Sequence, residues 1–200
     1  MVALHYGAWV PQPTINALGK PAHPDLWEED LPTAMTALGL AYERAQSTTL
    51  EEFLAWIAAE LRRGHPVIVG AKVFPTSHPD WDVDHLMPVV GFSPKGLVFN
   101  TNEELGQVEI PFAALGGTEG ISFMSPTKKF YGFAVSGFRN GGVALRVVRE
   151  SLESVELSIE STEAGTLERD EFDGGVSTST LTPGMRVTMA RDAAARFRVR

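Results

Sequence analysis

Apolar and polar residues follow a helical period in one part of the chain and a strand period in most of the rest. Between Leu50 and Arg63 the apolar residues Leu50, Phe53, Leu54, Ile57, Ala58 and Leu61 recur three or four apart and share one helix face. Thr49 and Glu52 form a capping box at the start of that helix, and Gly64 supplies its stop. Two weaker helical pieces precede it. Pro11-Gln12-Pro13-Thr14 opens a brief helix ending at Gly19, and Leu26 to Leu38 carries apolar residues at looser spacing before Gly39. After the main helix, Pro66 to Val73 is rich in β-branched residues and reads as a buried strand. The loop Phe74 to Val83 leads into a second run, His85 to Phe92. A turn at Ser93-Pro94-Lys95-Gly96 closes a hairpin onto Gly96 to Asn100, and a further strand is expected at Gln107 to Ile110.

Past about Gly116 the runs become shorter. Phe130 to Phe138, Val143 to Val148, Val155 to Ser161, Gly174 to Thr180, Arg186 to Ala190 and Ala195 to Val199 read as strands, several of them alternating apolar with polar. Turn chemistry separates them, as in Asn140-Gly141-Gly142 and Thr182-Pro183-Gly184. The turn at Leu181 to Gly184 resembles the one before the last strands of fibronectin type III modules. The charged stretch Glu163 to Asp173 reads as a solvated loop. This texture predicts an α+β domain over residues 1–125 and a small β-rich, sandwich-like module over 126–200, with the boundary near Met124 to Lys129.

Composition narrows the chemistry. Two hundred residues, 44% of them hydrophobic, suffice for a real core. With 17 basic against 25 acidic residues, the net charge of -8 provides no field for phosphate backbones, which argues against nucleic acid. The absence of cysteine removes disulfides, thiolate metal sites and any cysteine nucleophile. No stretch is long enough to span a bilayer and the first residues lack a signal pattern, so a cytoplasmic location is expected unless a leader has been removed. Asp80, Asp82 and Asp84 alternate like the start of a calcium loop, yet Leu86 stands where that loop needs glycine and Gly91 where it needs glutamate. His78, Asp82 and His85 match no standard metal spacing, so neither a metal nor an organic cofactor is expected. Trp9, Trp27, Trp56 and Trp81 are candidates to line a groove, although two of the four fall in helical stretches and read as core.

One ordered set of features carries chemistry. The amphipathic helix ends in Leu61-Arg62-Arg63-Gly64-His65-Pro66 and leads into Val67-Ile68-Val69-Gly70. Asp84-His85 then opens Met87-Pro88-Val89-Val90-Gly91-Phe92, and Gly96-Leu97-Val98-Phe99-Asn100 follows. Over roughly half the chain this order resembles papain-like cysteine peptidases, in particular the branch of bacteriocin-leader (double-glycine) peptidases. The resemblance implies a papain-like fold, His85 as general base, and Asn100 or Asn102 as the amide that orients it. It also implies a nucleophile at the start of an N-terminal helix, where the dipole favours thiolate. The matching segment is Tyr6-Gly7-Ala8-Trp9-Val10-Pro11-Gln12-Pro13. Ala8 or Val10 occupies the nucleophile's place, and Gln12 is a further site candidate. Alkyl side chains cannot attack a carbonyl, and Thr14 is an unactivated hydroxyl one turn further on.

Two readings follow. In the first, the chain is a non-catalytic papain-like peptidase homologue that binds a peptide or peptide-like partner. In the second, it is an active cysteine-type peptidase or amidase whose nucleophile has been replaced at Ala8 or Val10. A third class, a structural protein docking partners through its β-rich part, is marked by no particular face. Each site residue also has a plain structural role open to it, because a histidine beside an apolar strand and an asparagine at a strand end are common for local reasons.

Overall fold

A computed structural model describes residues 1–20, 26–47, 49–100, 106–117, 121–123, 130–138, 143–172 and 174–200. In chain order its elements are α1 (Val2–His5), β1 (Ala8–Trp9), α2 (Gln12–Gly19), α3 (Leu31–Ala37), β2 (Leu40–Ser47), α4 (Leu50–Arg62), β3 (Val67–Ala71), β4 (His85–Phe92), β5 (Gly96–Asn100), β6 (Gln107–Pro111), α5 (Phe112–Leu115), β7 (Phe130–Phe138), β8 (Ala144–Glu150), β9 (Ser154–Glu160), β10 (Thr166–Glu171), β11 (Val176–Thr180), β12 (Arg186–Ala190) and β13 (Ala195–Val199). The class is mixed α+β, built on three antiparallel sheets. Asn102, the Asn140-Gly141-Gly142 turn and the expected boundary at Met124 to Lys129 lie outside the described residues.

Contacts divide the chain differently from the expected split at residue 125. Tyr42–Ser136 forms one compact unit, while Met1–Ala41 and Gly137–Arg200 together form the other. In the Tyr42–Ser136 unit a six-stranded sheet runs in the order β2-β7-β3-β4-β5-β6. Helix α4 is the amphipathic helix the spacing predicts. Thr49 caps it by accepting the Glu52 N–H at 3.3 Å, and Gly64 follows with φ +83°, a conformation that favours glycine. Its Phe53 and Ile57 join Val67, Val69, Met87, Val89, Leu97, Phe99 and Phe123 in one core. Glu60 is buried at the end of this helix because Arg63 and His65 both reach it, at 2.6 and 2.9 Å. Gly96 is required where the β4–β5 hairpin closes, since a Cβ there would come 2.0 Å from the Ile110 carbonyl oxygen.

Two elements correct the sequence reading here. Phe130 to Phe138, assigned above to the C-terminal module, is β7 and pairs with β3 inside the six-stranded sheet. Eight of its nine residues are buried, as befits a strand covered on both faces. Strand β2 was not foreseen at all. Its Ala, Glu, Arg and Gln content favours helix locally, and sheet pairing overrides that preference.

The other unit holds a four-stranded sheet, β1-β13-β10-β11, and a three-stranded sheet, β12-β9-β8. Leu167, Ala195 and Phe197 from the first share a core with Leu145, Val155, Leu157, Ile159 and Met189 from the second. The expected solvated loop at Glu163 to Asp173 is a correction, because it contains β10, which lies between β13 and β11. Two of its charges are matched across the ladder. Glu168 stands opposite Arg198 and Asp170 opposite Arg196, both pairs in ion-pair contact, and Arg200 also reaches Glu168 at 2.8 Å.

Candidate functional site

A buried polar cluster of the Tyr42–Ser136 unit lies just before His85. β3 is an apolar run, and the residue following it, Lys72, forms an isolated antiparallel bridge with Ser122, at 2.8 and 3.0 Å. The Lys72 side chain is 7% exposed and that of Asp84 is fully buried. Burial of two opposite charges requires close partners, and both have them. The ammonium group donates to the Trp81 carbonyl at 2.7 Å and to the His78 carbonyl, and lies 3.8 Å from Asp84 Oδ2. Asp84 accepts the Val73 and Phe74 N–H groups at 2.7 and 2.9 Å. Together they clasp the loop Phe74 to Val83 at both ends and at its middle.

The clasped loop presents an aromatic surface. His78 and Trp81 stack with ring centroids 4.2 Å apart and planes 17° from parallel. Trp81 remains 55% exposed and Phe74 40%, with Asp80 and Asp82 exposed on either side of the tryptophan. His85 follows directly, as the half-buried first residue of β4.

Register decides how the predicted residues meet. β4 pairs with β3 without interruption from His85 to Val89, so His85, Met87 and Val89 share the sheet face that packs on α4. Val89 stands opposite Phe99, which puts Phe99 on that same face and its neighbour Asn100 on the other. Continued one step, this register sets Asn100 beside Pro88, about 10 Å along the strand from His85. The Asn100 Oδ1 accepts instead from Gln107 Nε2 at 3.1 Å. The expected pairing of the imidazole with the Asn100 amide is therefore corrected: successive strand residues point to opposite faces, and these two residues differ in face.

The vacated-nucleophile candidates belong to the other unit. Ala8 was expected at a helix N-terminus, but it lies in β1, paired with Arg196, and is 0% exposed. Val10 precedes Pro11, the N-cap residue of α2, and Gln12 in the first turn of that helix donates to Asn16 Oδ1 at 2.8 Å. Among the described residues no cluster of three or more His, Asp or Glu side chains could hold a metal, and no helix is long and apolar enough to cross a membrane.

No protein-family model matches the chain, and neither a curated protein nor a solved structure matches it.

Sequence reasoning passed over Lys72. The signal was present as a single cation beside an otherwise apolar β-branched run, a position where charge is found only when paired. The carbonyl partners of that cation come from a loop six to nine residues further on, and only the folded chain brings them back to it.

Proposed function

We propose that this protein is a non-catalytic papain-like peptidase homologue, and that its peptide or peptide-like partner binds on the loop Phe74 to Val83 beside His85. The observation that carries this reading is the clasp. Lys72 and Asp84 hold the loop in one shape before any partner arrives, so the open face of Trp81 is offered with little further loss of entropy. Exposed aromatic side chains on rigid backbone are the usual anchors of peptide recognition. Absence of catalysis is supported by the lack of any cysteine. The second reading, a replaced nucleophile, draws little from Ala8, whose methyl group is sealed inside a strand.

A bead-displayed library of random decapeptides tests the proposal. The wild-type chain is expected to enrich a defined set of sequences, and Trp81→Ala to weaken capture of those sequences by at least about tenfold. Equal capture by wild type and Trp81→Ala sinks the assignment of the loop. Ala8→Cys and Val10→Cys are expected to react with iodoacetamide no faster than an ordinary exposed thiol. Faster labelling of either one would favour the replaced-nucleophile reading.

A further inference from the structure

Strand β11 differs from every other sheet edge among the described residues. An edge strand exposes a row of unpaired N–H and C=O groups, and proteins normally guard it with charge, proline, a bulge or extreme shortness. β1 is only two residues long. β2 carries Glu43 and Arg44, and β6 carries Glu109 and ends in Pro111. β8 has Arg146, Arg149, Glu150 and a bulge between Val147 and Arg149, while β12 begins with Arg186. β11 is Val176-Ser177-Thr178-Ser179-Thr180, with all five residues exposed and none of these devices. From Gly174 to Met185 there is no charged residue at all, in a chain whose net charge is -8.

The outward groups follow from the ladder. β10 and β11 pair antiparallel, and the bonds just beyond both ends join Glu171 N to Gly175 O and Leu181 N to Gly165 O. In such a ladder alternate residues turn both backbone groups toward the same neighbour. Gly175, Ser177, Ser179 and Leu181 thus face β10. Val176, Thr178 and Thr180 direct their N–H and C=O groups to the open edge.

We propose that this edge pairs with β11 of a second copy of the chain, antiparallel about a two-fold axis at Thr178. That register sets Val176 against Thr180 of the other copy and Thr178 against its own equivalent. Each opposed pair then exchanges two N–H···O bonds, and every outward group on the edge is satisfied. Threonine opposite threonine is a favourable cross-strand pair, and the interface is isologous and closed. Two four-stranded sheets become one continuous eight-stranded sheet across it. Electrostatics selects the same segment, because two copies of a strongly acidic chain approach with least repulsion where neither bears charge. A single short strand pair buries little area, so the dimer is weak and concentration-dependent.

Sedimentation equilibrium over a wide range of protein concentration, together with amide exchange, tests this. The wild-type chain is expected to dimerise in the micromolar range, and protection at the Val176, Thr178 and Thr180 amides should rise with dimer fraction. Thr178→Pro removes an outward N–H that the monomer's ladder does not use, and Thr178→Lys sets like charges face to face on the axis. Both variants should weaken association at least about tenfold while keeping the wild-type circular dichroism. Leu152→Ser removes a fully projecting apolar side chain elsewhere in this unit and should leave association unchanged. A wild-type chain that stays monomeric at high micromolar concentration overturns the proposal, as does a dimer that persists in Thr178→Lys. Protection of the three amides only when the decapeptide library is added would assign the edge to a foreign strand and overturn self-pairing as well.

Discussion

Replacing Lys72 by methionine removes one charge from the loop clasp while keeping most of the volume of its stem. Three partners lose by it: the carbonyls of His78 and Trp81, and the fully buried carboxylate of Asp84 at 3.8 Å. At that separation and an effective dielectric of about 20, the gross attraction between the charges is about 4 kcal/mol before the cost of desolvating them. Each charge-assisted hydrogen bond contributes roughly 1.5–3 kcal/mol net, and breaking a buried pair by removing one partner costs roughly 3–5 kcal/mol. These contributions overlap. Asp84 also keeps its bonds from Val73 and Phe74, and water can reach freed loop carbonyls, so the lower end of the range applies. We expect Lys72→Met to lose about 3 kcal/mol of stability, roughly a hundredfold in the unfolding equilibrium. Urea unfolding followed by tryptophan fluorescence and circular dichroism measures the total. Amide exchange at Val73 and Phe74 reports the local opening, because those two N–H groups bind Asp84. A double-mutant cycle with Asp84→Asn should show a coupling of at least about 1 kcal/mol. A loss below about 1 kcal/mol, with exchange at Val73 and Phe74 unchanged, would refute the view that this pair holds the loop.

Two further outcomes probe the other unit. Glu168 is buried between Arg198 and Arg200, so Glu168→Ala should destabilise the chain by about 2–3 kcal/mol in urea unfolding, whereas a change within about 0.5 kcal/mol would mean that β10 is solvated after all. Burial pushes the Tyr6 phenol up from its ordinary value near 10 to about 12. The folded chain therefore holds that proton more tightly than the unfolded chain. The associated stability is fully present below pH about 10 and is lost as the pH rises through about 12. Tyr6→Phe should remove a late step from the tyrosinate absorbance titration and flatten the alkaline fall in stability; an unaltered alkaline profile in the variant would count against it.

Much of the local structure was legible from the residues alone. Helix α4 follows from the spacing of Leu50, Phe53, Leu54, Ile57 and Leu61 between Thr49 and Gly64, and the β4–β5 hairpin from two apolar runs around Ser93-Pro94-Lys95-Gly96. Such signals span a few residues and act through backbone conformation and one apolar face, so they are written where they operate. Contacts between distant segments are not written that way. The charges of β10 look like a loop until Arg196, Arg198 and Arg200 stand opposite them, and β2 looks helical until β7 pairs with it. The grouping of Met1–Ala41 with Gly137–Arg200 likewise joins the two ends of the chain across the whole intervening unit. At the candidate site the sequence placed His85 at the head of a strand and Asn100 at the end of the next. Only the register decided that they face opposite sides, because in a sheet with a two-residue period a single step moves a side chain to the other face. Lys72 and Asp84 could be named from the sequence, but their union required the chain to fold back on itself, since the attraction of buried charges exists only once water has been excluded around them.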